Sequence, residues 1–212
     1  MFYYQGKIGI FSRSYKYVKF DRELPLWSTA LNIIDKLYAT WSPHPDQTPL
    51  ECIFCTFDHC GKSTCLIPMA YPRIGVSLSG LPTRQVAIGG FHGRRLKTSE
   101  MYMVAQNKWV VLPPLNTAVH FPGSALLESL RAFRFGGFEE ECQLFSHMIE
   151  SLETEKDGKW KDIPLGGRID RATNLAAAAY LEKIIVFGGS VQTRKRSLLI
   201  LSEEGKLEKD GS

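Results

Sequence analysis

The stretch Gln85-Val86-Ala87-Ile88-Gly89-Gly90 decides how this chain is read, because it is one of three alike. The others are Ala132-Phe133-Arg134-Phe135-Gly136-Gly137 and Lys183-Ile184-Ile185-Val186-Phe187-Gly188-Gly189. Their first glycines stand 47 (136 − 89) and 52 (188 − 136) residues apart. Each run is short and rich in Val, Ile and Phe, the mark of a buried strand rather than a helix. A glycine pair closing such a strand marks a sharp bend, or a place where backbone passes close to another segment.

A second feature keeps step with the first. Trp109 follows Gly89 by 20 residues (109 − 89), and Trp160 follows Gly136 by 24 (160 − 136). Each Trp leads into a short apolar segment with proline, Val110-Val111-Leu112-Pro113-Pro114-Leu115 or Lys161-Asp162-Ile163-Pro164-Leu165. Tyr102 precedes Trp109 within an expected strand Met101-Tyr102-Met103-Val104. Two helix-prone stretches, Ser124–Leu130 and Asn174–Tyr180, fall in this register on the strand before the glycine strand, and are read as strands despite their propensity. Features co-registered at a period of about 50 residues indicate a repeat architecture.

The pattern of apolar strand, double glycine, Tyr and Trp resembles the kelch repeat, in which each repeat forms one four-stranded blade of a β-propeller. The resemblance implies an all-β propeller, about four to five blades represented, and a ring that is incomplete or divergent. It also implies an Arg shortly after the proline segment. Arg73, in Pro68-Met69-Ala70-Tyr71-Pro72-Arg73, fits; Arg168 or Arg171 could serve the last repeat; His120 stands where the middle repeat should have its Arg.

The resemblance is specific over about 72–190 and weaker upstream. Residues 1–71 are read as degenerate N-terminal blades and 72–212 as better-formed repeats of one continuous domain. Lys36-Leu37-Tyr38-Ala39-Thr40-Trp41-Ser42 aligns with the glycine strands, with Trp41-Ser42 replacing the pair, and Cys65 is assigned the place of the repeat Trp. Gly6-Lys7-Ile8-Gly9-Ile10-Phe11 reads as the same strand in a unit too short for a blade, followed by Trp27. Ser197-Leu198-Leu199-Ile200-Leu201 is one more strand, beyond which the polar residues leave the last blade unfinished.

In this reading Trp109 and Trp160 fill gaps between blades. Gly89, Gly90, Gly136, Gly137, Gly188 and Gly189 allow close approach near a crowded centre, and Arg73 clamps carbonyls of adjoining units. These are structural duties, so ligand recognition is expected on loops. Three follow glycine pairs directly: Phe91-His92-Gly93-Arg94-Arg95, Phe138-Glu139-Glu140-Glu141 and Ser190-Val191-Gln192-Thr193-Arg194.

Other constellations are weaker. Cys52, Cys55, Cys60 and Cys65, with His59, have a spacing similar to a zinc knuckle with Cys in place of its His. The repeat register instead makes Cys52–Phe57 a strand, placing Cys52 and Cys55 on opposite faces as packing residues. Gly61-Lys62-Ser63 ends like a phosphate-binding loop but has Thr56 where the leading glycine belongs. Gly75-Val76-Ser77-Leu78-Ser79-Gly80 lacks the closing glycine of a nucleophile elbow. His44, His59, His92, His120 and His147 form no evident pair, and Cys142 stands alone.

The expected function is therefore a non-catalytic scaffold that binds a protein partner through inter-strand loops, without cofactor or metal. The alternatives are a propeller enzyme with an unrecognised site, or a zinc-stabilised interaction element at 52–65. The net charge of +4 is too small and too scattered for a nucleic-acid binder, Arg194-Lys195-Arg196 being its densest cluster. No apolar run reaches membrane-spanning length. The N-terminus lacks a secretory pattern, and five cysteines is an odd count for a disulfide framework, so a cytoplasmic location is expected. Some kelch proteins are substrate-recognition parts of ubiquitin ligases, but with additional N-terminal domains, so that role is not carried over. A propeller left open would expose sheet edges, which points to a subunit of a larger assembly.

Overall fold

The computed structural model describes residues 2–4, 7–9, 29–33, 36–42, 52–58, 62–139, 149–155, 158–163, 173–180, 182–190, 197–204 and 206–211. A hairpin of β1 (Phe2–Tyr4) and β2 (Lys7–Gly9) comes first. Blade 1 is formed by β3 (Thr29–Ile33), β4 (Lys36–Trp41), β5 (Ile53–Phe57) and β6 (Ser63–Cys65). Blade 2 is formed by β7 (Ser77–Gly80), β8 (Arg84–Ile88), β9 (Ser99–Met103) and β10 (Lys108–Leu112). A small ladder of β11 (Val119–His120) and β14 (Phe138–Glu139) brackets blade 3. Blade 3 itself is β12 (Gly123–Leu126), β13 (Arg131–Phe135), β15 (Ile149–Glu153) and β16 (Lys161–Ile163). Blade 4 is β17 (Thr173–Tyr180), β18 (Lys183–Ser190), β19 (Ser197–Leu201) and β20 (Leu207–Gly211).

Within every blade the four strands are antiparallel to their neighbours and follow chain order. The leading strands are also neighbours in space: β3 lies beside β7, β7 beside β12, and β12 beside β17. Hydrogen bonds stitch that row. Thr29 Oγ1 donates to Val76 O at 2.8 Å, and the Ser77 and Ser124 hydroxyls meet at 2.7 Å. Sheets whose first strands pack side by side in sequence order radiate from that row, so the molecule is a four-bladed β-propeller.

Strand alternation supplies the packing between blades, since successive side chains point to opposite faces. On β8, Val86 and Ile88 pack with Val119, Leu126, Ala132 and Leu152 of the next blade and its entry. Ala87 faces the other way, into a cluster with Tyr38, Phe54 and Met69. On β13, Phe133 and Phe135 pack against Leu175, Ile184, Val186, Leu199 and Leu201 of blade 4. The sheets of blades 2 and 3 thus bury both faces, which is why β8 and β13 are buried almost from end to end.

Trp109 lies between blades 1 and 2, edge-on to Phe54 at 5.1 Å, and its Nε1 donates to Ile67 O at 3.0 Å. Trp160 lies between blades 2 and 3, and its Nε1 donates to Pro113 O at 2.9 Å. Both indoles cap a carbonyl of the connector leaving the preceding blade. This pairing of area burial with one satisfied N–H is what a wedge Trp needs.

Three expectations change. Cys65 does not take the Trp position: it pairs with Cys55, whereas Trp109 pairs with Tyr102, and the residue facing the corresponding Phe57 is Ser63. The bonded carbonyls agree, because Ile67 follows Ser63 by four residues as Pro113 follows Trp109. The last blade is not unfinished, for β20 supplies its fourth strand. An outermost strand with one free edge tolerates the polar sequence Leu-Glu-Lys-Asp-Gly, which hid it. The strand drawn to Val104 ends at Met103, and Val104–Gln106 form a single 3-10 turn closed by Asn107 in the left-handed region (φ 46°).

Of the two helix-prone stretches, Asn174–Tyr180 lies in β17, while Ser124–Leu130 is strand only to Leu126, in β12, and then turns, with Leu130 N donating to Leu127 O. On β12 the small side chains suit the crowded row of leading strands: a Cβ on Gly123 would come within 2.9 Å of Leu175 O. Tertiary crowding outweighs the intrinsic preference of alanine here. Trp27, Arg168, Arg171, His44, His147 and Cys142 lie outside the described residues.

Candidate functional site: the loops beyond the glycine pairs

The first two glycine pairs occupy the same place in their blades, at the end of the second strand, with matching backbone. Gly89 and Gly90 have φ of 65° and 114°, and Gly136 and Gly137 have 56° and 104°. This left-handed turn ejects the chain from the strand, a conformation L side chains resist. A Cβ would also collide: on Gly89 it would lie 2.6 Å from Val119 O, on Gly90 3.0 Å from Arg73 Cβ. The crowding therefore comes from the entry segment of the next blade and from Arg73, not from a leading strand. Gly188 and Gly189 close the second strand of blade 4, but lie inside β18, where Gly188 pairs with Leu175 and Ser197.

The segments ejected by these turns meet. Phe91 exchanges two backbone hydrogen bonds with Ile74, at 2.8 and 3.0 Å, and Phe138–Glu139 pair with Val119–His120. His120 sits between them, its ring centroid 6.0 Å from Phe91, 5.4 Å from Phe138 and 4.7 Å from Phe121. Arg95 Nε donates to His120 Nδ1 at 3.1 Å, and the Arg95 guanidinium lies 4.2 Å over the Phe138 ring. Because Nδ1 accepts, the proton of the neutral ring is on Nε2. Burial and the adjacent Arg95 charge hold the His120 pKa below its ordinary value, with a hydrogen bond from the ring to the Phe138 backbone opposing them. The residue that departs from the repeat is thus the hub joining two loops.

Beside this cluster is an open depression of about 440 Å³ lined by Arg94, Arg95, Leu96, Lys97, Thr98, Thr117 and Ala118. Three cations and two hydroxyls line it, and among the described residues no carboxylate does. Lys97 Nζ is steered by Asn116 O at 2.7 Å. On the other flank His92 Nδ1 donates to Pro72 O at 3.0 Å, which turns that ring toward the connector. Glu139 flanks the cluster, while Glu140 and Arg194 lie outside the described residues.

Beneath the loops are two buried ion pairs. Arg73 pairs through Nη2 with Glu100 and donates through Nη1 to Gly89 O (3.1 Å) and Thr98 O (2.8 Å), and through Nε to Tyr71 O (3.0 Å). Glu100 in turn accepts from the Ala70 and Tyr71 amides. In blade 3, Arg134 donates to Glu150 through Nε (2.8 Å) and Nη2 (2.5 Å), and to Gly136 O through Nη1 (2.8 Å). Glu150 also accepts the Asn116 amide at 2.8 Å. Glu100 and Glu150 are equivalent, each facing the strand residue two before its glycine pair. The same cradle is therefore filled by an arginine from the connector in blade 2 and from β13 in blade 3. That transfer frees position 120 for histidine. Sequence reading missed Glu100, Arg134 and Glu150; a charged residue inside an apolar strand, as in Ala-Phe-Arg-Phe, was the available signal.

The cysteine segment does not form a common centre among the described residues, which hold no group of three or more potential metal ligands. Cys52 Sγ hydrogen-bonds both the N–H (3.0 Å) and the carbonyl (3.1 Å) of Arg73, and burial pushes its pKa up. Cys55 and Cys65 face each other across β5 and β6. His59 and Cys60 lie outside the described residues. Lys62 is tied to Asp58 by two backbone-anchored hydrogen bonds that close a hairpin, so its amide does not point toward a phosphate cradle.

These features define a class, a four-bladed β-propeller with buried Arg–Glu clamps and a cationic loop surface. No protein-family model and no curated protein matches the chain.

Proposed function

We propose that this protein is a non-catalytic, cytoplasmic protein-binding scaffold, a divergent or partial propeller of kelch type, that docks an acidic segment of a partner protein. One observation carries the reading: the loops after two successive glycine pairs, separate in sequence, converge on His120 beside a depression lined by Arg94, Arg95 and Lys97. Backbone pairing of both loops pre-orders that surface, which lowers the entropic cost of binding. Cationic lining with aromatic neighbours suits carboxylates presented on a peptide. The Trp and glycine-pair positions, equivalent in blades 2 and 3, support the kelch assignment. No helix among the described residues is long and apolar enough to cross a membrane.

The test uses a fluorescent Glu/Asp-rich peptide and a Lys-rich control, with the intact chain titrated into each. Binding of the acidic peptide should weaken at least tenfold in the Arg94→Glu/Lys97→Glu variant and fall steeply with salt, while the control does not bind. Equal binding by both peptides, or indifference to the charge reversal, rejects the reading.

A further inference from the structure

Cys55 and Cys65 are direct register partners on antiparallel β5 and β6, and their sulfurs are 3.1 Å apart. Residues opposite one another in an antiparallel pair have Cα atoms about 4.5–5.5 Å apart, within the roughly 4.4–6.8 Å that a disulfide spans. Two thiols held in this register need only about 1 Å of approach to reach the S–S bond length of about 2.0 Å. Their exposures differ: Cys65 opens to solvent on the outermost strand of blade 1, while Cys55 is buried.

We infer that Cys55 and Cys65 form a reversible cross-strand disulfide by exchange with a low-molecular-weight disulfide oxidant. The asymmetry sets the order of events. The Cys65 thiolate attacks one sulfur of the oxidant, forming a mixed disulfide and expelling the first small thiolate. Cys55, as its thiolate, then attacks Cys65 Sγ, forming the internal S–S bond and expelling the second. The protein loses two electrons and two protons, and the oxidant is reduced to two thiols. Only the first step needs access from solvent, so a buried resolving thiol is no obstacle. Cys52 is a poor competitor because its sulfur is held by the Arg73 backbone. The bond would staple β6 to β5 just before Ile67, whose carbonyl receives the Trp109 indole. It would thereby couple the redox state to the interface between blades 1 and 2.

The intact chain is incubated with oxidised glutathione, quenched in acid and digested with trypsin without reduction. Cleavage after Lys36, Lys62 and Arg73 separates peptides 37–62 and 63–73, so a Cys55–Cys65 bond joins two otherwise independent fragments. The expected result is loss of two of the five thiols, a linked peptide pair whose fragment ions place the bond at Cys55, and full reversal by dithiothreitol. Cys60→Ser should keep the bond. Cys55→Ser should instead leave Cys65 as a lasting glutathione adduct. A wild-type chain that stops at the adduct, resists oxidation, or joins Cys65 to Cys60 or Cys52 overturns the inference.

Discussion

Arg73 and Glu100 show how a charged pair can be fully enclosed and still belong to the core. Both side chains have no solvent exposure, and the guanidinium and carboxylate are satisfied by backbone partners as well as by each other. Removing one partner strands the other charge in a dry site. That typically costs about 3–5 kcal/mol, whereas apolar replacement of both is often near neutral. Glu100→Gln, or Arg73→Met, should therefore lower stability by about 3–5 kcal/mol in urea unfolding, and Arg73→Met with Glu100→Leu should recover most of the loss. Equal destabilisation by the double variant would show that the backbone hydrogen bonds, not the charge pairing, dominate. Arg134 and Glu150 should behave alike, since they occupy the same cradle one blade on. Arg73 was legible in the sequence because the repeat marks its position. Arg134 was not, because it reaches the cradle from a different strand, and only space brings the two together.

At the scale of the element, the glycine turns are the critical joints. Gly89 and Gly93 both have positive φ, of 65° and 67°, but differ in what surrounds them. A Cβ at Gly93 meets nothing within 4 Å, while one at Gly89 strikes backbone at 2.6 Å. Gly93→Ala should cost only the conformational penalty of roughly 1–2 kcal/mol. Gly89→Ala must also displace the Val119 backbone that accepts from Gly90, so its loss of stability should be clearly larger, read by the midpoint of chemical denaturation. Equal losses would mean that Val119 yields freely. The apolar strands and their closing glycines could be read from composition and period. The outermost strands could not: β6 and β20 are polar and short on pattern, because one edge faces solvent and asks little of their side chains.

For the whole molecule, His120 links the surface loops of blades 2 and 3, so its protonation is felt as global stability. Its pKa is held down in the fold by burial and by Arg95. A base with a lowered folded pKa contributes stability that is present above the unfolded value of about 6.5. That contribution is lost as pH falls from there through the lower folded pKa. Thermal midpoints should thus decline on acidification below about pH 6.5, and His120→Gln should flatten the decline within that window. An unchanged profile would place the effect in other groups. The same hub orders the cationic surface, so acidification should also weaken capture of the acidic peptide.

The amino-acid sequence by itself determined the architecture: short apolar strands, turns that only glycine tolerates and wedge indoles recur at one spacing, and local physics makes each a blade. Tertiary structure decided the site and the chemistry. It brought together loops 47 residues apart (138 − 91) at His120, delivered equivalent arginines from unlike positions, and set two thiols face to face. Periodicity records what every blade needs for burial, whereas charge pairing and sulfur proximity depend on distances between strands that no spacing along the chain encodes.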